Sequence, residues 1–434
     1  MSQLIKLDIP SPYKDRLAVA LTRINQNEKY LHLIKDPYYL SEALIHLGKI
    51  DDAKRIIELK RKIPKHAYLS SLIFYIMMNQ SSKLLRLMRI IKKHQDTETL
   101  IECLKQTTVY TGSSTALRIL YDQAKHIELD IKSIPKSHLK EIKEGYLANI
   151  LNTVHLLRLE SPIKGILDII NQTLNEEISP PFRMVCLSML TSYYSRWDPI
   201  KMNQPYNELI EMLQGKPRLA EAPFIHIIFA NLIASGKNDE AGNVLRRLVN
   251  ILTQGIKKRI DKFVKMTNIL SSSKKQKAVD ENLISSIAKE YTYLMAVKQR
   301  IMSIFILLLE TLQNLVRVEI PINLERIEEL AAAGIILTSD IEFVEPLFQT
   351  WIKQGYHDLA EEEIKETIRR LKDEDTLEAF FHSLGKIYAN KQAGRIRNTI
   401  EKILIKRKRK ETLIKAFIDA LYTETLYIYK ITTS

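Results

Sequence analysis

The amino-acid sequence predicts an all-α chain built from antiparallel helical hairpins, and three observations lead there. Apolar residues recur at three- and four-residue spacing along most of the length, which is the period of one helix face. Gly and Pro are scarce, 12 and 14 in 434 residues, which disfavours turn-rich β folds and Gly-rich nucleotide loops alike. Finally, three stretches share one spaced pattern: a large apolar residue, Gly, a pair beginning with Asp, and Ala five residues after the Gly. They are Leu44–Ala53, Leu232–Ala241 and Trp351–Ala360.

Each of these stretches reads as helix, tight turn, helix. Gly48, Gly236 and Gly355 stand where an apolar-periodic helix ends, and Gly takes a left-handed turn backbone without steric cost. The acidic residues that follow favour a helix start, because they cap free N–H groups and oppose the helix dipole. Ala53, Ala241 and Ala360 are small enough to let the second helix lie close against the first.

Taken in order, an extended opening around Pro10-Ser11-Pro12 leads into an amphipathic helix over about Lys14–Ile24. From Pro37 onward, helices follow one another with breaks near Gly48, Pro64, Gln80, Gly112, Pro135, Pro162, Pro180, Pro199, Gly215 and Gly236. Connections this short make sequential helices antiparallel neighbours. The rhythm changes after Gly255. Ile256–Met266 reads as a basic amphipathic helix, Ser271–Lys277 as a mobile loop and Asp280–Leu315 as a long apolar-periodic helix. Pro321 cannot continue a helix, so Val316–Pro321 marks a hinge or subdomain boundary. The chain is expected to divide into residues 1–254, 255–321 and 322–434, the last a module of paired helices. The end, Leu421–Tyr429, is rich in β-formers and reads as a strand, a docking tail or a frayed end.

The three shared stretches resemble tetratricopeptide-type repeats, whose period is about 34 residues of helix–turn–helix. The core positions of that family are matched by Leu40, Leu44, Gly48, Ala53, Ile56 and Ile57. They are matched again by Ile228, Leu232, Gly236, Ala241, Val244 and Leu245, and by Phe348, Trp351, Gly355, Ala360 and Ile364. Leu384-Gly385-Lys386-Ile387-Tyr388 is a fourth, partial match. The closing Pro of the motif is absent or shifted. The resemblance implies a degenerate tetratricopeptide-like α-solenoid with a concave peptide-binding groove, a long-helix insertion and a C-terminal helical module.

Net charge is +14 and the pI about 9.4, which favours an anionic partner: nucleic acid, an acidic membrane face or an acidic protein. Lys83, Arg86, Arg89, Lys92 and Lys93 recur at helical spacing and form one stripe opposite Leu84, Leu87 and Ile91. Lys257, Lys258, Arg259, Lys262 and Lys265 form a second cluster, and Lys54, Arg55, Lys60, Arg61, Lys62 and Lys65 a third. The densest is Arg395, Arg397, Lys402 and the run Lys406, Arg407, Lys408, Arg409, Lys410. Five consecutive cations repel one another within a helix. The candidate binding residues are Lys83, Arg86, Arg89, Lys257, Lys258, Arg259 and Lys406 to Lys410.

Other chemistry is largely missing from the sequence. There is no phosphate loop, no Gly-x-Ser-x-Gly elbow and no metal-ligand spacing among ten histidines and two cysteines. His46 and His226 read as structural histidines, Glu361-Glu362-Glu363 and Asp373-Glu374-Asp375 as capping and solvated acids, and Cys103 and Cys186 as buried free thiols. No secretory leader is expected from Met1–Pro10, which lacks an apolar h-region. Ile301–Leu309 falls short of the roughly 20 apolar residues that span a bilayer. A cytoplasmic protein without cofactor, metal or catalytic site is therefore expected. Its expected role is to scaffold another protein by gripping an acidic segment in the groove. RNA or DNA binding on a basic helical surface is the alternative, and an enzyme with an unfamiliar helical site a third. The oligomeric state is not legible.

Overall fold

A computed structural model describes residues 3–431 except 8, 58–62, 128–135, 216–220, 350, 353–354, 372 and 408–409; between 249 and 347 it describes only 251, 262, 265, 266 and 286. The expected elements at 256–315, the hinge at 316–321 and the boundaries at 254/255 and 321/322 lie outside these residues. Every described element is an α-helix or a short 3-10 turn, so the chain is all-α. By contact the chain forms two units, one of Met1–Thr173 with Leu347–Ser434, the other of Leu174–Pro346. The C-terminal helices from His357 onward belong to the same unit as the N-terminal ones.

The first unit opens with α1 (Tyr13–Asn25), α2 (Pro37–His46), α3 (Ile50–Ile57), α4 (Tyr68–Met77), α5 (Ser81–His94), α6 (Thr97–Thr111), α7 (Ser114–Lys125), α8 (Lys136–Leu157) and α9 (Ile166–Leu174). Local chemistry sets the starts. Pro37 follows the N-cap Asp36, whose carboxylate accepts from Tyr38 N–H, and Asp96 and Ser113 cap α6 and α7 in the same way. At Gly48 φ is +77°, Gly48 N–H donates to Ile45 O and Lys49 N–H donates back to Leu44 O at 2.8 Å. That pair of bonds ends a helix on a left-handed residue. The same pair recurs at Gly236 and Gly355, where φ is +72° and +84°. Ala53, Ala241 and Ala360 are fully buried after these turns. Helix α2 packs on α3 and α4, α4 on α5 and α6, and α6 on α7 and α8.

The same unit closes with α13 (His357–Arg370), α14 (Glu374–Ala389), α15 (Gly394–Lys406) and α16 (Glu411–Ile428). The β-forming residues 421–429 are thus neither strand nor frayed end up to Ile428: they continue a helix. Leu413, Phe417, Leu421 and Leu426 are buried on it, so helical spacing of large side chains outweighs β propensity. Helix α16 packs on α14, α1 and α6. Its closest neighbour is α14, where Gly385 leaves no room: a Cβ there would collide with the Phe417 carbonyl and lie 2.9 Å from Ala420 Cβ.

In the second unit, α10 (Pro180–Trp197) packs on α11 (Asn203–Met212) and α12 (Ala222–Ala234). Helical residues 238–248 follow the Gly236 turn. Arg247 there donates to Gly215 O at 2.6 Å and pairs with Glu221 at 3.1 Å, fixing both ends of the 216–220 connection.

These two kinds of glycine give opposite expectations from textual similarity and from space. Gly385→Ala should destabilise the fold by about 1–3 kcal/mol through overpacking, although Ala is the better helix former. Gly48→Ala meets open space and should cost only about 1 kcal/mol for the left-handed backbone. Denaturant midpoints of both variants against the parent check the order.

Candidate functional site

Two polar arrangements stand out in the first unit, one buried and one exposed. The buried one begins with Arg16 and Arg23, two turns apart on α1, and with Tyr39, Glu42 and His46, which share a face of α2. Arg23 and Glu42 are both fully buried and form an ion pair. Arg23 Nη1 also donates to Tyr422 O at 3.2 Å and to Thr425 Oγ1 at 3.3 Å on α16. Its guanidinium lies over the rings of Tyr110 and Tyr422, 4.9 and 4.8 Å from their centroids. Tyr422 donates its hydroxyl hydrogen to Glu42, at 2.7 Å from the nearer oxygen, and Ser70 of α4 is 3.4 Å from the same hydroxyl. Burial first of all raises the Tyr422 phenol above its ordinary range, against the lowering pull of Arg23, so it stays protonated and remains a donor.

Around this centre, Arg16 donates to Tyr39 Oη at 2.8 Å and pairs with Asp419 of α16. Tyr39 donates to His66 O at 2.7 Å. Tyr427 donates to Glu102 of α6 at 3.1 Å. Past the end of α16, Ile431 N–H donates to Tyr110 O at 3.0 Å, and Lys430 donates to Leu157 O. Arg158 gathers the same ends, donating to Val109 O at 2.5 Å, Tyr110 O at 2.6 Å and Ile431 O at 3.1 Å. Burial draws its guanidinium down to about 10, still protonated at neutral pH. Helix α16 therefore touches α1, α2, α4 and α6 through polar bonds. Apart from His46 Nδ1, most donors and acceptors here answer one another inside the protein, and the set joins segments of the chain. The apolar crevice lined by Leu4, Leu7, Ile9, Leu17 and Leu33 has no carboxylate in its walls.

The exposed arrangement is α5. Leu84, Leu87, Met88 and Ile91 are buried, while Lys83, Arg86, Arg89, Lys92 and Lys93 are exposed on the other side. The helix contains no acidic residue, and none of these five cations has an acidic partner within ion-pair distance among the described residues. Lys83 Nζ lies 6.0 Å from the Tyr75 ring. Leu85 is 51% exposed beside Arg86 and Arg89.

The other predicted cations fare differently. Lys257, Lys258, Arg259, Lys408 and Arg409 lie outside the described residues. Lys406 is exposed at the end of α15, Arg407 is half-buried, and Lys410 pairs with Glu374 at 3.3 Å. Arg395 pairs with Asp358 at 2.7 Å and Glu361 at 3.5 Å. Arg397 donates to Tyr388 O and Asn390 O. Of the acidic clusters, Asp373 caps α14 at Thr376 as read from the sequence, whereas Glu361 neither caps nor is solvated but pairs with Lys365 and Arg395. Cys186 is buried, whereas Cys103 is only half-buried; burial, with Glu102 beside it, pushes that thiol up to about 12. His46 stacks on Tyr110 and its buried Nδ1 makes no hydrogen bond among the described residues. No group of three His, Cys, Asp or Glu side chains among the described residues is placed to hold a metal. No described helix is long and apolar enough to cross a membrane.

Sequence reasoning missed Arg23, Glu42, Arg158 and Tyr422. A signal existed for the first two: each is a charge set within an apolar run, Leu17–Leu21 before Arg23 and Ala43–Ile45 after Glu42. Comparison with protein-family models and with curated proteins returns no match.

Two outcomes follow. Arg23→Met leaves the Glu42 carboxylate buried without its cation and should cost about 3–5 kcal/mol, read as a loss of denaturant midpoint; Arg55→Met, on the exposed side of α3, should leave it unchanged. Burial holds His155, His226 and His46 down to about 4, from 6.5 in the unfolded chain; Arg23 adds to the effect at His46. Below pH 6.5 the unfolded chain then binds protons that the folded chain refuses. Stability present above that pH should fall as pH drops toward 4, by up to about 1.4 kcal/mol per pH unit for the buried His155 and less for the partly exposed pair. Equilibrium unfolding at about pH 7.5, 6 and 5 reads this slope, and a flat profile refutes it.

Proposed function

We propose that the protein is a non-catalytic helical scaffold, built from tetratricopeptide-like hairpins, that holds another protein by an acidic segment. Several observations support this reading. Consecutive helices pair as α2 with α3, α4 with α5 and α6 with α7, and the first helix of each pair touches the first helix of the next. Stacked pairs of this kind present broad side-chain surfaces rather than deep catalytic clefts. The single observation that carries the acidic partner is α5, five exposed cations on a helix without one acid.

The location of the partner shifts relative to the groove that the family resemblance implies. Tyr422 and its neighbours on α16 already contact α2, α4 and α6 from the side of Tyr39, Glu42, Ser70 and Tyr110. That side is occupied by the chain itself, so the partner is assigned to the outward helices. Nucleic acid is the second reading, and the exposed Lys406 that opens the Lys406–Lys410 run is the observation that favours it.

Isolating the tagged full-length protein from its native host at about 50 mM salt should bring down one near-stoichiometric acidic chain. That chain should survive nuclease treatment and leave at about 0.5 M salt, where screening collapses exposed ion pairing to a few ångströms. Recovery of nucleic acid alone, lost on nuclease treatment, would replace this reading with the second one.

A further inference from the structure

We propose that the exposed face of α5 is a docking ridge for an acidic amphipathic helix of the partner, one that sets an aliphatic side chain on Leu85. This inference rests on the scaffold reading and names the partner chemistry of that same surface.

The charges of α5 are not explained by the fold. Lys92, Lys93 and His94 sit in the last turn, where cations favour the helix dipole. Lys83 is in the first turn, where a cation opposes it. Lys83/Arg86, Arg86/Arg89, Arg89/Lys92 and Arg89/Lys93 are like-charge neighbours at three- or four-residue spacing. Each such pair costs about 0.2–0.5 kcal/mol. Elsewhere in the same unit some exposed cations meet acids, as Arg395 meets Asp358 and Glu361 and Lys410 meets Glu374, whereas others such as Lys54 and Lys402 stand singly among the described residues. On α5 no acid on α4, α6 or α5 itself does so within ion-pair distance among the described residues. The compensating charge is therefore assigned to a partner.

Spacing selects the partner's form. Along α5, Lys83, Arg86 and Arg89 are three residues apart and Lys93 follows after four. A rise of about 1.5 Å per residue puts them about 4.5–6 Å apart along the axis. Carboxylates at three- and four-residue spacing on a second helix match that step. On an extended strand, same-side residues stand about 6.6 Å apart, so the mismatch accumulates along the ridge. Leu85, next to Arg86 and one turn before Arg89 on the exposed face and 51% exposed, decides against a nucleic acid backbone, which has no apolar group to cover it. Helix α5 itself has no Phe, Tyr or Trp on which bases could stack, only His94 at its end. An acidic helix with one aliphatic residue covers both features. Charged residues ringing a small apolar anchor are also the arrangement of a protein interface.

The test uses the full chain and three fluorescent probes at about 50 mM salt. The first is a helical peptide with Glu at alternating three- and four-residue spacing and one central Leu. The second is the same peptide with Gln for Glu, and the third a single-stranded RNA of similar length. The parent should bind the Glu peptide and lose it at high salt, and should bind the Gln peptide at least tenfold more weakly. Arg86→Glu with Arg89→Glu should weaken the Glu peptide at least tenfold, and Leu85→Ser about threefold. Arg86→Gln with Arg89→Gln removes the charge without reversing it, so a folding defect of the reversed protein does not decide the outcome; this neutral variant should melt no lower than the parent. Equal binding of the Glu peptide by parent and both double variants overturns the α5 inference and leaves the scaffold reading standing. Failure of the parent to bind it at all removes both. RNA binding that the same variants abolish overturns the inference in favour of nucleic acid.

Discussion

The constraint on which the first unit depends is the buried ion pair of Arg23 and Glu42. Two charges without water are costly unless each is fully met by others, and the partners available on α1 and α2 are not enough. The remaining ones come from α16: the Tyr422 hydroxyl for the carboxylate, the Tyr422 carbonyl and Thr425 for the guanidinium. The N-terminal hairpins thus have a polar centre that the C-terminal helix completes. Arg158 does the same for the backbone, satisfying carbonyls from both Tyr110 and Ile431. This accounts for a unit made from residues 1–173 and 347–434, with tight packing at Gly385 aligning α14 and α16 along the way.

Closing the chain in this manner divides the surface into two kinds. The sides of α2, α4 and α6 that meet α16 are buried against aromatic and aliphatic residues. The outward sides remain, and on α5 they carry charge that no acid opposes within ion-pair distance among the described residues. Its buried stripe of Leu84, Leu87, Met88 and Ile91 gives roughly 1.5–3 kcal/mol per side chain. Four like-charge pairs at helical spacing cost together about 1–2 kcal/mol. The helix is held by its apolar side with margin to spare, so the exposed side is free to carry a charge pattern that would not help an isolated helix.

Much of the architecture was legible because it is local. Helical period, the caps at Asp36, Asp96 and Ser113, and the turns at Gly48, Gly236 and Gly355 each depend on residues within one turn of each other. The left-handed glycines and the buried alanines after them lie where the spacing puts them. What the sequence could not show is long-range. Nothing near Tyr422 states that it will meet Glu42, 380 residues away, and β propensity in Leu421–Tyr429 pointed away from the helix that carries it. The basic clusters were equally visible in the text, yet their fates separate only in space. Arg395 and Lys410 find acids on α13 and α14, while the stripe on α5 meets none within ion-pair distance among the described residues.

That separation bears on how charge should be read in such chains. A buried cation such as Arg23 is fixed by geometry, because leaving its partner unmet costs about 3–5 kcal/mol. An exposed ion pair such as Lys410 with Glu374 contributes about 0–1 kcal/mol, so its presence or loss is nearly neutral for the fold. An exposed cation with no partner, repeated over nearly three turns of one helix, is mildly unfavourable for the fold. Only the first kind is explained by stability. For the last, no compensating acid stands within ion-pair distance among the described residues, and any anion that met several such cations on one rigid face would be held by them together.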